Sequence, residues 1–309
     1  MISNTKKIDL RFHGVDLNLK HLCALRTYAD KINLKAFRRS TAEYSGNQHS
    51  TVHGRGMDFD EVRIYQPGDD FRAMDWRVTA RTGKPHTKLF KEERERPVYL
   101  IADLSASMQF GTQVTFKSII AAQVAALLAW KSVADNDRIG GIVYNNEATH
   151  YLKTHAGQRG VLPLLKKILA MMNVSHNSNG DNDLLKALIK YQAPIKTGSK
   201  VFVISDFMNF ENDRLRIMLT GLAKNNELVF VHIYDLLEAE APKPNRYTIS
   251  DGNQTFQFDS SSKKFRKEYS ETFLEKETEL LRFCQQRLIK LISLRTDDDV
   301  ILKLQGVHR

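Results

Sequence analysis

The sequence predicts an α/β fold, a doubly wound and mostly parallel sheet with helices on both faces, and three observations carry that prediction. Continuous apolar runs at 98–102, 201–204 and 228–233 have the length and composition of strands buried on both faces. They alternate with stretches of helical length and periodicity at 115–134, 161–172 and 214–225, the rhythm of strand–helix–strand crossovers. The first run closes on Asp103, Ser105 and Ser107, an acid and two hydroxyls at i, i+2 and i+4. Ligands of open α/β sheets bind at that end of a strand. A carboxylate with two hydroxyls on one tight loop offers hard oxygen donors, which suits Mg²⁺ or Mn²⁺.

Taken in order, residues 1–53 read as a helical appendage and linker. Leu19, Leu22, Leu25, Tyr28, Ala29 and Ile32 recur at helical spacing, and the helix is expected to run to about residue 37. Residues 38–53, rich in Ser, Thr, Asn, Gln and Gly, read as the linker. A second segment, 54–97, alternates charged and apolar residues around a turn at 67–70, so short strands are expected, with 87–92 one candidate. Asp58, Asp60, Asp69, Asp70 and Asp75 lie among Arg63, Arg72, Arg77 and Arg81, which suggests an ion-pair network that positions loops.

The third segment, 98–309, is the regular one. After Asp103 a helix is expected at 115–134, with Phe116, Ile119, Ile120, Val124, Leu127 and Leu128 on one face. Strands are expected at 137–144 and 148–152, then a helix at 161–172 and a polar loop at 175–181. Asp183 is placed to cap a helix ending near Tyr191. The strand at 201–204 ends at Ser205-Asp206, and a helix at 214–225 and a strand at 228–234 follow. Residues 236–262 interrupt the pattern with a hairpin signature around Asp251-Gly252, read as an insertion at the sheet's edge. A charged helix at 264–287, a last strand at 289–294 and a terminal helix at 297–305 with Thr296 as N-cap complete the chain.

Composition narrows the class. Apolar content of 42% and a mean hydropathy of -0.40 are those of a globular chain in water. No run of eighteen apolar residues is present, and the first residues lack the apolar core of a signal peptide, so no transmembrane segment and a cytoplasmic location are expected. Cys23 and Cys284 fit no metal or redox spacing and read as buried or bystander thiols. A formal charge of +10 favours acidic partners. The excess is spread out, with no basic block and no Arg interleaved with aromatics, which argues against nucleic acid.

Two motifs carry a resemblance. Asp103-x-Ser105-x-Ser107 after a buried first strand resembles the metal-ion-dependent adhesion site of von Willebrand factor A domains. That family adds an Asp at the end of a central strand, which Asp206 matches, and a Thr from a later loop. Asn182 stands where the Thr would be, and its amide oxygen can coordinate. Upstream, Arg63-x-Tyr65-x-Pro67-Gly68-Asp69-Asp70-x-Arg72 and Asp75-Trp76-Arg77 resemble the hallmark of a bacterial domain-of-unknown-function family, number fifty-eight. In that family the hallmark leads into a von Willebrand A-like, Rossmann-like domain, and members are often encoded beside MoxR-type AAA+ ATPases. The resemblance implies Mg²⁺ or Mn²⁺ at Asp103, Ser105, Ser107, Asn182 and Asp206, with an open position for an acidic residue of a protein partner. The function it implies is a non-enzymatic, cation-dependent protein-binding module, an adaptor for an AAA+ ATPase or its client in complex assembly or maturation. The rivals are a metal-dependent hydrolase, with Asp206 as base, and a nucleic-acid binder acting through the basic surface. A haloacid-dehalogenase-like phosphatase needs a second acid where Ser105 stands.

Overall fold

The computed structural model describes residues 17–32, 57–92, 95–172, 182–250 and 255–305. The linker expected at 38–53, the polar loop at 175–181 and the Asp251-Gly252 turn lie outside the described residues. The described residues fall into two compact units, 57–92 with residue 95 forming one and those of 17–32 and 96–305 the other.

Helix α1 (Leu19–Ala24) is capped by the Asn18 side chain and runs on into a 3-10 turn, Leu25–Lys31. In the smaller unit, β1 (Met57–Ile64) and β2 (His86–Glu92) pair antiparallel, with α2 (Trp76–Thr82) between them. The sequence pattern missed α2. Asp75 starts it by accepting from the backbone N–H of Arg77 and Val78, and Gly83 ends it in the left-handed conformation at φ 69°. Asp70 likewise caps a 3-10 turn, so these acids serve mainly as caps. Among the described residues the ion pairs there include Arg63–Asp69 at 2.7 Å and Lys88–Asp75 at 3.7 Å, and the side chains of Asp58 and Asp60 lie outside the description.

The larger unit is built on β3 (Pro97–Asp103), α3 (Lys117–Ala134), β4 (Arg138–Tyr144), β5 (Thr149–Ala156), α4 (Gln158–Met172), α5 (Leu184–Tyr191), β6 (Lys200–Ser205), α6 (Asp213–Asn225) and β7 (Glu227–Tyr234). A short α7 (Leu236–Ala239), the hairpin β8 (Arg246–Ser250) and β9 (Thr255–Asp259), α8 (Lys263–Gln286), β10 (Lys290–Arg295) and α9 (Val300–Leu304) follow. The central sheet has the order β10-β7-β6-β3-β4-β5, parallel except for β5. The hairpin is not part of that sheet; β8 and β9 form a two-stranded sheet of their own. The terminal helix is capped by Asp299 rather than Thr296, whose hydroxyl is turned to Asp235.

Apolar residues on opposite faces of each strand pack into separate cores. One face is covered by α3, α4, α9 and residues 22–32, the other by α5, α6 and α8. Residues 17–32 therefore are no appendage. Leu22, Leu25, Ala29 and Ile32 are buried against α3, and the Trp130 indole N–H donates to the Leu22 carbonyl at 3.0 Å. Helix α3 is apolar on nearly every side because it lies between the sheet and this outer layer. It is long and apolar enough to cross a membrane, and 83% of it is buried in the core.

The topology decides where a ligand would sit. From β3 the chain moves to β4 on one side, and from β6 to β7 on the other, while β3 and β6 are neighbours. Their carboxyl ends form the switch point of the sheet, where a crevice opens.

Candidate functional site

Asp103 ends β3 at this switch point and is almost wholly buried. One carboxylate oxygen, Oδ1, accepts from the Ser105 backbone N–H at 2.9 Å and so folds the loop back on itself. Oδ2 accepts from the Ser205 hydroxyl at 2.6 Å, which ties β3 to the end of β6. The tight loop brings the Ser105 and Ser107 hydroxyls within 3.2 Å of each other. From the neighbouring strand loop, the Asn146 amide oxygen accepts from the Ala106 N–H at 2.5 Å and pins the turn.

Asp206 follows β6, where Phe207 takes a left-handed φ of 52° and turns the chain sharply. The Ser205 hydroxyl oxygen accepts from the Phe207 N–H at 3.0 Å and holds that turn. Asp206 Oδ2 is paired with the Lys117 ammonium at 2.8 Å, and Lys117 also reaches Glu238 Oε1 at 2.7 Å. The Lys117 side chain is fully buried. Burial opposes its charge, but the Asp206 and Glu238 carboxylates outweigh that and hold its pKa above the usual lysine value. Burial and the nearby Asp206 carboxylate also push Asp103 upward, above the usual carboxylate range, against the hydrogen bonds from Ser205 and Ser105.

All five residues singled out in the sequence, Asp103, Ser105, Ser107, Asn182 and Asp206, line one cavity of about 230 Å³. Their engagements differ. The Asn182 Nδ2 donates to the carbonyls of Asn145 at 2.5 Å and Ala148 at 3.2 Å, and its Oδ1 accepts from the Thr149 hydroxyl at 3.2 Å. Asn182 thus clamps the β4–β5 turn. Sequence reasoning missed Lys117, Asn146 and Tyr144, which lack any local signal and are brought to the site only by the fold; Ser205 was read as the residue before Asp206, but not as the partner of Asp103.

Does this set suit a divalent cation? Two converging hydroxyls and two buried carboxylates are hard oxygen donors, and one more observation bears on the fit. The Tyr144 hydroxyl lines the cavity and is buried with no hydrogen-bond partner among the described residues. Burial and the Asp103 carboxylate keep that phenol well above its ordinary pKa, so it remains a neutral donor facing the crevice. A hydrated cation carries water that can satisfy such a donor. The residues fit. Among the described residues there is no cluster of three or more His, Cys, Asp or Glu placed for a metal, so any affinity rests on the hydroxyls as much as on the acids.

Comparison with known proteins gives a family and several relatives. A family model described as "Protein of unknown function DUF58" matches residues 61–279. The uncharacterized protein Rv1480 of Mycobacterium tuberculosis is 28% identical over 284 residues, covering 91% of this chain and 86% of the relative. The uncharacterized protein YeaD of Bacillus subtilis is 39% identical over 59 residues, 19% of this chain and 15% of its own length. Among solved structures, the conserved hypothetical protein BatB of Bacteroides thetaiotaomicron matches with a TM-score of 0.38 at 14% identity, covering 68% of this chain and 94% of that one.

Proposed function

Because the chain belongs to the DUF58 family, whose description assigns no activity, we propose its function from the site: a protein-binding module that takes a partner's carboxylate at a cation held at the sheet's switch point. The single observation that supports this most is the convergence of Asp103, Ser105, Ser107, Asn182 and Asp206, drawn from three separate loops, on one crevice. We read the domain as von Willebrand A-like on the same residues. Ser105, Ser107, Asp103 and Asp206 would hold Mg²⁺ or Mn²⁺, with Asn182 at the margin. The bound ion would supply a positive charge with a position open to an acidic side chain.

The chain's own residues prepare that arrangement. Ser205 orients Asp103, Asn146 fixes the hydroxyl loop, and Lys117 pairs with Asp206 and directs its carboxylate. The partner this reading names is a MoxR-type AAA+ ATPase or its client, and the location it implies is cytoplasmic.

Calorimetric titration with Mg²⁺ and Mn²⁺ tests the site. Binding is expected to the wild type and to be lost in Asp103→Ala, with co-purification of an AAA+ partner in Mg²⁺ and release in chelator. Absence of cation binding and of cation-dependent capture would overturn the reading. Phosphatase turnover abolished in Asp103→Ala would replace it with the hydrolase.

A further inference from the structure

A second cavity, of about 330 Å³, lies beside the first, between the carboxyl ends of β6 and β7 and helix α8. It shares Asp206, Phe207 and Met208 with its neighbour, and Met208 is 58% exposed between them. Its wall is aromatic. His232 stacks on Tyr234 at a centroid distance of 5.3 Å, and Phe273 meets Tyr234 at 5.2 Å and His232 at 6.4 Å. Its rim is acidic, with Glu211, Glu238, Glu277 and Glu279 against the single Lys276, on a chain whose formal charge is +10.

Most of those acids are already matched. Glu238 is held by Lys117, Glu279 by Arg216, and Glu211 lies 3.8 Å from Lys276. Glu277 is different. Among the described residues it enters no ion pair, and its hydrogen bond from the Ser293 hydroxyl is long, at 3.5 Å. In the same wall His232 is 6% exposed, and its Nδ1 is buried with no partner. Buried polar atoms are nearly always hydrogen-bonded. A buried, unpartnered imidazole nitrogen together with an unmatched carboxylate calls for a cationic donor.

We infer that this cavity receives the guanidinium of an arginine presented by a partner protein. A guanidinium is planar, stacks on aromatic faces and carries five N–H donors, enough for the Glu277 carboxylate and for Nδ1 of His232 together. An ammonium has no plane to stack. Two of the lining residues already take part in one such arrangement with an arginine outside the lining: Arg216 lies over the Phe210 ring at 4.9 Å while pairing with Glu279. The volume accommodates one long side chain. Nothing in this assignment requires the neighbouring cation site.

The test is titration of the full chain with N-acetyl-arginine amide in chelator, followed by NMR. N-acetyl-citrulline amide serves as the neutral isostere and N-acetyl-lysine amide as the non-planar cation. Saturable binding of the arginine probe is expected, with both controls weaker by about tenfold or more. Glu277→Gln, at a half-exposed position, and Phe273→Leu, which keeps apolar bulk without a π face, are each expected to weaken the arginine probe about tenfold. Should Phe273→Leu fail to fold, Glu277→Gln decides alone. No saturation by the arginine probe, equal binding of citrulline or lysine, or unchanged affinity in Glu277→Gln overturns the assignment. Because chelator is present throughout, these outcomes are separate from success or failure of the cation titration.

Discussion

Removing the Lys117 ammonium leaves Asp206 and Glu238 facing a buried space without their counter-charge. Breaking such a pair costs more than the pair contributes, because a desolvated charge is stranded. Lys117→Met is therefore expected to lower stability by about 3–5 kcal/mol in urea unfolding, with part recovered in the double variant Lys117→Met/Asp206→Asn. A loss below about 1 kcal/mol would mean that the ammonium is not the counter-charge described. The buried thiol makes a simpler prediction. Cys284 is 1% exposed, and burial pushes its pKa up to about 12, so it is expected to resist a thiol reagent in the folded chain and react only in denaturant. Legibility differs between residues for a plain reason. Asp103, Ser105 and Ser107 were readable because their relation is local, two residues apart on one loop. Lys117 was not, since its partners lie 89 and 121 residues away along the chain, and only the fold makes them neighbours.

Two elements carry the sheet's geometry, and each can be broken at one position. In β4, a Cβ on Gly141 would meet the Leu100 carbonyl oxygen of β3 at 2.1 Å, a backbone atom that cannot move aside. Gly141→Ala is expected to cost about 3 kcal/mol or more, or to prevent folding, as judged by thermal melting. The second element is the turn after β7. Asp235 is fully buried and accepts from the Thr112 hydroxyl and Thr296 hydroxyl at 2.5 Å each, joining the ends of β7 and β10 to the loop that leads into α3. Burial works against its ionised form, but the Thr112 and Thr296 hydroxyls and the Leu237 N–H hold its pKa below the usual carboxylate value. A folded pKa below the unfolded one adds stability that is complete above about pH 4 and drains as pH falls through the folded value. Asp235→Asn is expected to be less stable at pH 7 and to show a shallower loss between pH 5 and 2 in urea midpoints. At this scale the strands were legible because continuous apolar runs have few alternatives. Helix α2 was not: Trp76, Val78 and Ala80 alternate with polar residues, so its period resembles a strand, and the caps at Asp75 and Gly83 decided it.

The larger unit is closed on one face by residues 17–32. Burial of Leu22, Leu25 and Ile32 is worth about 1.5–3 kcal/mol each, a sum comparable with the whole stability of a domain, about 5–15 kcal/mol. A chain beginning at residue 33 is expected to be insoluble, or to lose its near-UV circular dichroism; a sharp cooperative melt in that truncation would show that the segment is dispensable. The alternating pattern revealed the sheet and its helices, while the docking of 17–32 was hidden because an amphipathic face does not name its partner. That docking also has a consequence for synthesis. Leu22 and Trp130 are 108 residues apart, and at about 5–20 residues per second the ribosome takes roughly 5–20 s to travel between them. Throughout that interval this apolar stripe waits without the helix that will cover it. The chain is thus exposed to chaperones, and to its own neighbours on the polysome, before its core can close.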